Sequence, residues 1–414
     1  MEPQEQTTMQ QTPDKASRRN FVALLGTHLS YSALIFFTGT FFVAQLFSAT
    51  GSIGAVAWFH LLVYIIIAGL FIPISFIIKK HTRVLFPRIA TVLLVGFICM
   101  LIFWQDGIAN YYMLFGVIYG IILGFYWCAM HCLTVEIMGG NKMKSYQAIM
   151  LIGSNIITIA LPIILGAMID FVSFRSAAIL ALVVGVCLMV FTFVLLEYKP
   201  IGGNFAMRKF FKTMKHEKKS ETVWLNFWVS FNMSSLWMTS ICTTILIIYV
   251  YGGNFELGML LSLFAVGAIV LLTLYRLIKS KKIKNTIFAV SSLTTPALAI
   301  PLLFNVNQTT LIIFLFGNLI LAMVTRVEAS NVSYNTMKRL NSQEWLIESN
   351  FMVEFAYLFQ RIIFLTIMII GATLNIFLVF KILVVIFSAS AIAIWTLTLL
   401  WRKSLSNIEK RELS

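Results

Sequence analysis

The sequence predicts an all-α integral membrane protein, with twelve transmembrane helices in two pseudo-symmetric six-helix halves. Three observations carry this. Hydrophobic residues make up 59% of the 414 and charged residues 11%, whereas soluble domains carry about 25% charged. Apolar windows of about 20 residues, enough to cross a bilayer, recur at 21–47, 53–78, 86–104, 110–136, 146–169, 175–196, 223–250, 256–278, 286–305, 309–335, 346–371 and 374–401. Local features also return at one offset, about 200 residues. Leu114-Phe115-Gly116 recurs as Leu315-Phe316-Gly317, the turn at Asn141 as that at Asn341, and the basic loop after span 2 as Tyr275–Lys282 after span 8.

The net charge of +15 would suit a nucleic-acid binder, but its distribution does not. With the N-terminus assigned to the cytoplasm, 27 of the 31 Lys and Arg fall in the tails and loops of that side or, as Arg88 and Arg276 do, at the span ends beside them. Arg175 falls outside, and Arg326, Arg361 and Lys381 lie within spans. This positive-inside bias predicts a multi-pass protein of the cell (inner or plasma) membrane with both termini cytoplasmic. The expected partners are the lipid bilayer, a small-molecule substrate and a coupling proton, with no nucleic acid and a monomeric chain.

The chain then divides as follows. Residues 1–19, rich in Gln, Glu and Thr, read as a disordered cytoplasmic tail; the first span is too long, and its lead-in too polar, for a cleavable signal peptide. Residues 20–197 form the N-terminal bundle. Residues 198–221 form a basic cytoplasmic linker, in which Met207, Phe210, Phe211 and Met214 make the apolar side of an amphipathic helix lying on the membrane surface. Residues 222–402 form the C-terminal bundle, and 403–414 a cytoplasmic tail.

Spans 1 and 2 carry His28 and His60, each readable as a hydrogen-bonded core residue or as part of a site. Between spans 2 and 3 runs Ser75-Phe-Ile-Ile-Lys79-Lys80-His81-Thr82-Arg83-Val84. This loop resembles the G-x-L-x-D-R-x-G-R-R loop of the major facilitator superfamily. Lys80 and Arg83 keep basic positions, Ser75 and Thr82 replace glycines, and Lys79 replaces the aspartate; without the resemblance the stretch reads as a solvated basic loop. The resemblance, with the repeat, implies the superfamily's two-halved twelve-helix fold over about residues 20–402, with span 10 lining the central cavity and span 11 neighbouring it.

In span 4, Trp127, His131 and Thr134 share one helical face, readable as packing or as cavity lining. Cys128 and Cys132 lie one turn apart without the further His or Cys of a zinc site. All five cysteines lie in spans, so no disulfide is expected. Span 5 contains Asn155 and Leu161-Pro162-Ile-Ile-Leu165-Gly166; the latter resembles the superfamily antiporters' G-P-x-x-G-G at Pro162 and Gly166.

Spans 10 and 11 concentrate charge: Arg326 and Glu328, then Glu354 and Arg361. Such residues cost about 2.5–3.5 kcal/mol each at a bilayer centre, so they face a bundle interior or a watery cavity. Glu328 and Glu354 each lie 13 residues from Asn341, so the hairpin puts them at similar depth, about 20 Å from the turn. An Arg326–Glu354 ion pair would leave Glu328, which shares a face with Asn331 and Asn335, free for another role. A carboxylate whose partner changes with conformation loads and releases a proton. Glu328 is the first candidate proton or cationic-substrate site, Glu354 the second and Arg326 the charge partner. His28, Trp127, His131, Asn155, Asn331 and Arg361 complete the candidate set. The alternative is a static salt-bridge network.

No hydrolase, zincin or nucleotide-binding motif appears, so no enzyme, cofactor or metal is expected. The function expected is secondary active transport by alternating access, proton-coupled, with export of an amphiphilic or cationic compound. Uptake of an organic solute, and a non-transporting membrane sensor or assembly protein on the same fold, are the alternatives.

Overall fold

The computed structural model describes residues 13–80, 83–137, 142–196, 205–217, 219–339, 345–374 and 377–412. The turns at Asn141 and Asn341 lie outside the described residues, and with them the hairpin on which the depths of Glu328 and Glu354 were judged. His81 and Thr82 also lie outside them, as do the side chains of Lys79, Lys80, His131, Cys132 and Glu136.

Twelve helical spans among the described residues are long and apolar enough to cross a membrane. In the N-terminal half these are α1 (Pro13–Phe36), continued through a π-helical turn (Phe37–Phe41) into α2 (Phe42–Thr50), then α3 (Ile53–Lys80), α4 (Leu85–Phe103), α5 (Ile108–Ile137), α6 (Lys142–Phe171) and α7 (Phe174–Val194). The short α8 (Met207–His216) leads to the second half: α9 (Ser220–Tyr251), α10 (Asn254–Leu277), α11 (Lys281–Ala297) with α12 (Pro301–Phe304), and α13 (Gln308–Leu315). A second π-helical stretch (Phe316–Leu321) joins α13 to α14 (Ala322–Arg339), and α15 (Leu346–Thr373) and α16 (Phe377–Glu412) follow. An even number of spans puts both termini at one end of the bundle, the proximal end; the other end is distal.

Two boundaries shift from the sequence reading. The first helix starts at Pro13 inside the expected tail, since proline at a first helical position gives up no needed N–H. The last runs to Glu412, past residue 402, because Arg402 and Ser404 are tied to neighbouring helices: Ser404 bonds Thr222 and Glu221 of α9 at 3.2 and 3.1 Å.

Without water to expel between apolar helices, close packing of small residues holds them together in lipid. Gly116, Gly120 and Gly124 form such a stripe on α5. A Cβ at Gly116 would stand 2.8 Å from the Phe59 carbonyl oxygen of α3, and one at Gly120 would stand 2.9 Å from that of Val63.

The halves meet by the same means. On the distal side α6 crosses α10, and a Cβ at Gly166 or Gly258 would strike the backbone carbonyl of Asn254 or Pro162 respectively. The two residues of span 5 that carried the antiporter resemblance, Pro162 and Gly166, are thus where α6 touches the other half. Asp170 closes the crossing. Its carboxylate accepts hydrogen bonds from the Phe255 N–H (2.7 Å) and Asn254 Nδ2 (2.9 Å), placing a negative charge at the N-terminus of α10, where the helix dipole favours it.

The proximal half of α14 behaves differently. Ser330, Asn331, Tyr334 and Asn335 are exposed there, a polar face unsuited to hydrocarbon that fits a water-filled space. Asn331 and Asn335 do not share the environment of Glu328 as expected, since Glu328 is buried against neighbouring helices. The linker helix differs too. Rather than lying on the membrane, α8 turns Phe210 and Met214 into the protein, against Val223, Phe227, Trp345, Met352 and Ala356. Arg83 is not solvated: it is 1% exposed, its Nε donating to the Ile78 carbonyl.

Because the atoms facing Gly258 belong to backbone, they cannot swing aside. Gly258→Ala is expected to separate α6 from α10, lengthening the spin–spin distance between labels at Val172 and Phe304, which are exposed at the distal end. An unchanged distance distribution would contradict the packing account.

Candidate functional site

The charged face of α15 meets both halves of the molecule. Glu354, Tyr357 and Arg361 stand at i, i+3 and i+7 and share one side of the helix. The Arg361 Nε donates to Ser234 Oγ of α9 at 2.9 Å, and that hydroxyl donates to the Tyr357 carbonyl at 3.1 Å. The Arg361 guanidinium carbon lies 4.7 Å from the Tyr64 ring centroid of α3 and 5.7 Å from that of Tyr357, distances at which a cation is attracted to an aromatic face. Tyr64 stacks in turn on His60, one turn away, at 6.1 Å and 18°. A side chain of the second half is therefore seated on a ring of the first.

Two features of Arg361 stand out among the described residues. It forms no ion pair, and its terminal nitrogens, Nη1 and Nη2, are neither bonded to protein nor sealed from solvent. Gln360 behind it is fixed by its Nε2 donating to Ser235 Oγ at 2.8 Å. Glu354, two turns toward the proximal end, lies within electrostatic reach of Tyr31 of α1 and of Tyr357.

The first half supplies aromatic rings. Tyr31 stacks on Tyr126 at 3.5 Å and 8°, and Trp127 stands edge-on to both, at 5.2 and 5.6 Å. Tyr126 Oη and His60 Nε2 are buried without a hydrogen-bond partner, a condition that few buried polar groups tolerate without a ligand or water. His28 is elsewhere: its Nδ1 meets the Tyr146 hydroxyl and its Nε2 lies 3.5 Å from Thr134 Oγ1. The stripe expected on span 4 therefore divides, with Trp127 joining Tyr31 and Thr134 joining His28. Asn155 is half-buried on α6, its carbonyl accepting from Thr158 Oγ1. His131 lies on α5, with its side chain outside the described residues.

The remaining charges are arranged otherwise than expected. Glu328 is not free: it accepts from Tyr275 Oη at 2.6 Å and from Arg402 Nη2 at 2.8 Å. Arg402 also donates to Asn285 Oδ1 at 2.7 Å, so this cluster ties α10, α11, α14 and α16 together, away from the seam between halves. The Arg326–Glu354 ion pair does not form. Arg326 instead donates from Nη2 to the Leu236 carbonyl of α9 at 2.6 Å and covers the Trp237 ring at 5.4 Å. The carbonyl is nearer than any carboxylate and costs no second buried charge. Lys381, the other cation within a span, donates to the Leu303 carbonyl at 2.6 Å.

Sequence reasoning passed over Ser234, Tyr64, Tyr31 and Arg402. Tyr64 does carry a signal, lying one turn from His60 on an otherwise apolar helix. Arg402 carries none, for it reads as the first residue of a basic tail.

The sequence profile described as Major Facilitator Superfamily matches residues 21–343. No curated protein matches the chain by sequence. Among solved structures, a bacterial homologue of the iron transporter ferroportin, in an inward-facing state, is similar at a TM-score of 0.65 and 15% identity, covering 94% of this chain and 99% of its own. A POT family transporter in complex with a thioalcohol-conjugated peptide is similar at 0.64 and 13%, covering 95% and 96%. A bacterial metal transporter is similar at 0.59 and 16%, covering 94% and 98%. At such identities these similarities bear on the fold alone.

The Glu328 side chain is 12% exposed and that of Arg402 36%, so their ion pair is only partly screened. Breaking it with Glu328→Gln or Arg402→Gln is expected to cost about 1–3 kcal/mol, read from unfolding in detergent. A double-mutant cycle should show coupling between the two. Additive effects would mean that the pair contributes nothing.

Proposed function

The chain belongs to the Major Facilitator Superfamily, and from that premise we propose that it is a proton-coupled secondary transporter of a small molecule working by alternating access. The observation that carries the reading is one of position. The distal seam is closed by backbone contact at Gly166 and Gly258, α14 leaves a polar face exposed toward the proximal side, and the charged face of α15 stands between the halves. A binding site reachable from one side at a time is what alternating access requires. The positive-inside distribution supports taking the proximal side as the cytoplasm of a cell membrane.

Within this reading Glu354 is the proton site. It shares its helix face with Arg361, close to the hydroxyls of Tyr31 and Tyr357. We infer that loss of the Glu354 charge changes the field at Arg361, two turns away on the same face. Coupling follows if the halves separate from Tyr64 on only one of these states, since a ligand shifts a conformational equilibrium by its differential affinity for the two forms. Glu328, held by Tyr275 and Arg402, keeps the second half rigid while the halves move.

The test is substrate-evoked proton flux into proteoliposomes loaded with a pH-sensitive dye. Wild type, Glu354→Gln and Glu328→Gln are compared over a panel of amino acids, organic acids, sugars and organic cations. Flux should vanish in Glu354→Gln and persist in Glu328→Gln. Flux lost only in Glu328→Gln, or absent from folded wild type with every compound, would contradict the reading.

A further inference from the structure

We propose that the cargo of this site is an organic anion, a carboxylate-bearing small molecule with an apolar or aromatic body, held through its carboxylate by Arg361. The inference rests on the transport reading and deepens it, and it reverses the sign of the cationic cargo expected from the sequence.

A cation in a membrane interior needs a counter-charge, strong acceptors or water. The carboxylate of Glu328 is committed to Arg402 at 2.8 Å. Arg326 and Arg361 grip the same helix two residues apart, at the Leu236 carbonyl and Ser234 Oγ, so two guanidiniums stand at nearly one depth. Neither is ion-paired among the described residues, and Glu354 is the acid identified on the same helix face as Arg361. Two guanidiniums set against the Glu354 carboxylate leave these groups with a net positive charge.

Arg326 has turned its fork into the protein, whereas Arg361 is held by its Nε, and its Nη1 and Nη2 remain open. A guanidinium fixed this way offers two parallel N–H groups, the arrangement that binds a carboxylate in bidentate fashion. Tyr64 and Tyr357 hold its plane. Beside Tyr64 the buried His60 Nε2 has no hydrogen-bond partner, and the rings of Tyr31, Tyr126 and Trp127, on the Glu354 side of the same face, would offer an apolar wall to the body of the ligand.

Full-length protein in detergent is to be titrated with matched triads differing only in the head group, benzoate, benzamide and benzylamine first, then further mono- and dicarboxylates with their amides and amines. Unfolding temperature reports binding. At least one carboxylate is expected to stabilise the wild type while its amide and amine do not. Its affinity should fall about tenfold or more in Arg361→Gln, the loss typical of a hydrogen-bonded charge, and less in Arg361→Lys. Should Arg361→Gln fail to fold, Ser234→Ala, which frees the Nε anchor, is expected to weaken the same carboxylate and not to create amine binding. Stabilisation by amines instead, by no carboxylate at all, or by carboxylates equally in the Arg361 or Ser234 variants would overturn the proposal. Amine-evoked proton flux that depends on Glu354 would sink this inference while leaving the transport reading standing.

Discussion

Everything about this molecule answers to the cost of a charge where water is scarce. Each charge within these spans has found a different remedy. Lys381 takes a distal backbone carbonyl, Arg326 takes the Leu236 carbonyl and the face of Trp237, and Glu328 recruits Arg402 from the proximal end of the last helix. Arg361 is satisfied in part, by one hydroxyl and two rings, with its terminal nitrogens open. Lys381, Arg326 and Glu328 are each held by protein partners that brace the second half; the open nitrogens of Arg361 are, in our proposal, the site.

The second governing condition is steric. Twelve apolar helices have no solvent-driven reason to associate in one arrangement, so backbone approach decides which helices pair. Glycines set α5 on α3 within the first half and bring α6 against α10 between halves. The second crossing also carries the Asp170 carboxylate at the end of α10. Ser262 Oγ donating to the Ile159 carbonyl and the Phe171 and Phe255 rings add side-chain contacts to the same crossing. The rings of Tyr64 and Phe71 are likewise shared across α3 and α15, Phe71 lying 6.0 Å from Phe351.

The fold was written plainly in the sequence, because twelve apolar stretches and a positive-inside loop bias are composition effects that need no knowledge of contacts. The charged face of α15 was legible as well, since Glu354 and Arg361 are seven apart on a helix. Partnership was not legible. Hairpin arithmetic offered Glu354 to Arg326, but it fixes depth and leaves rotation open, and Arg326 turned to α9. The partner of Glu328 stands 74 residues away at the end of another span, where sequence alone sees a tail. The linker helix was read by its amphipathic pattern, which records that one side is apolar and not whether lipid or protein covers it. Here α9 and α15 cover it.

The central proposal is a binding site at Arg361, net positive and reached from the proximal side while the distal side is shut. The most direct measurement uses a variant with its five cysteines replaced and Tyr357→Cys introduced beside Arg361. Right-side-out and inside-out vesicles would be treated with negatively and positively charged methanethiosulfonates of similar size. The account predicts reaction from the cytoplasmic face alone, faster with the anionic reagent than with the cationic one. Reaction from the outer face, or a preference for the cationic reagent, would contradict it.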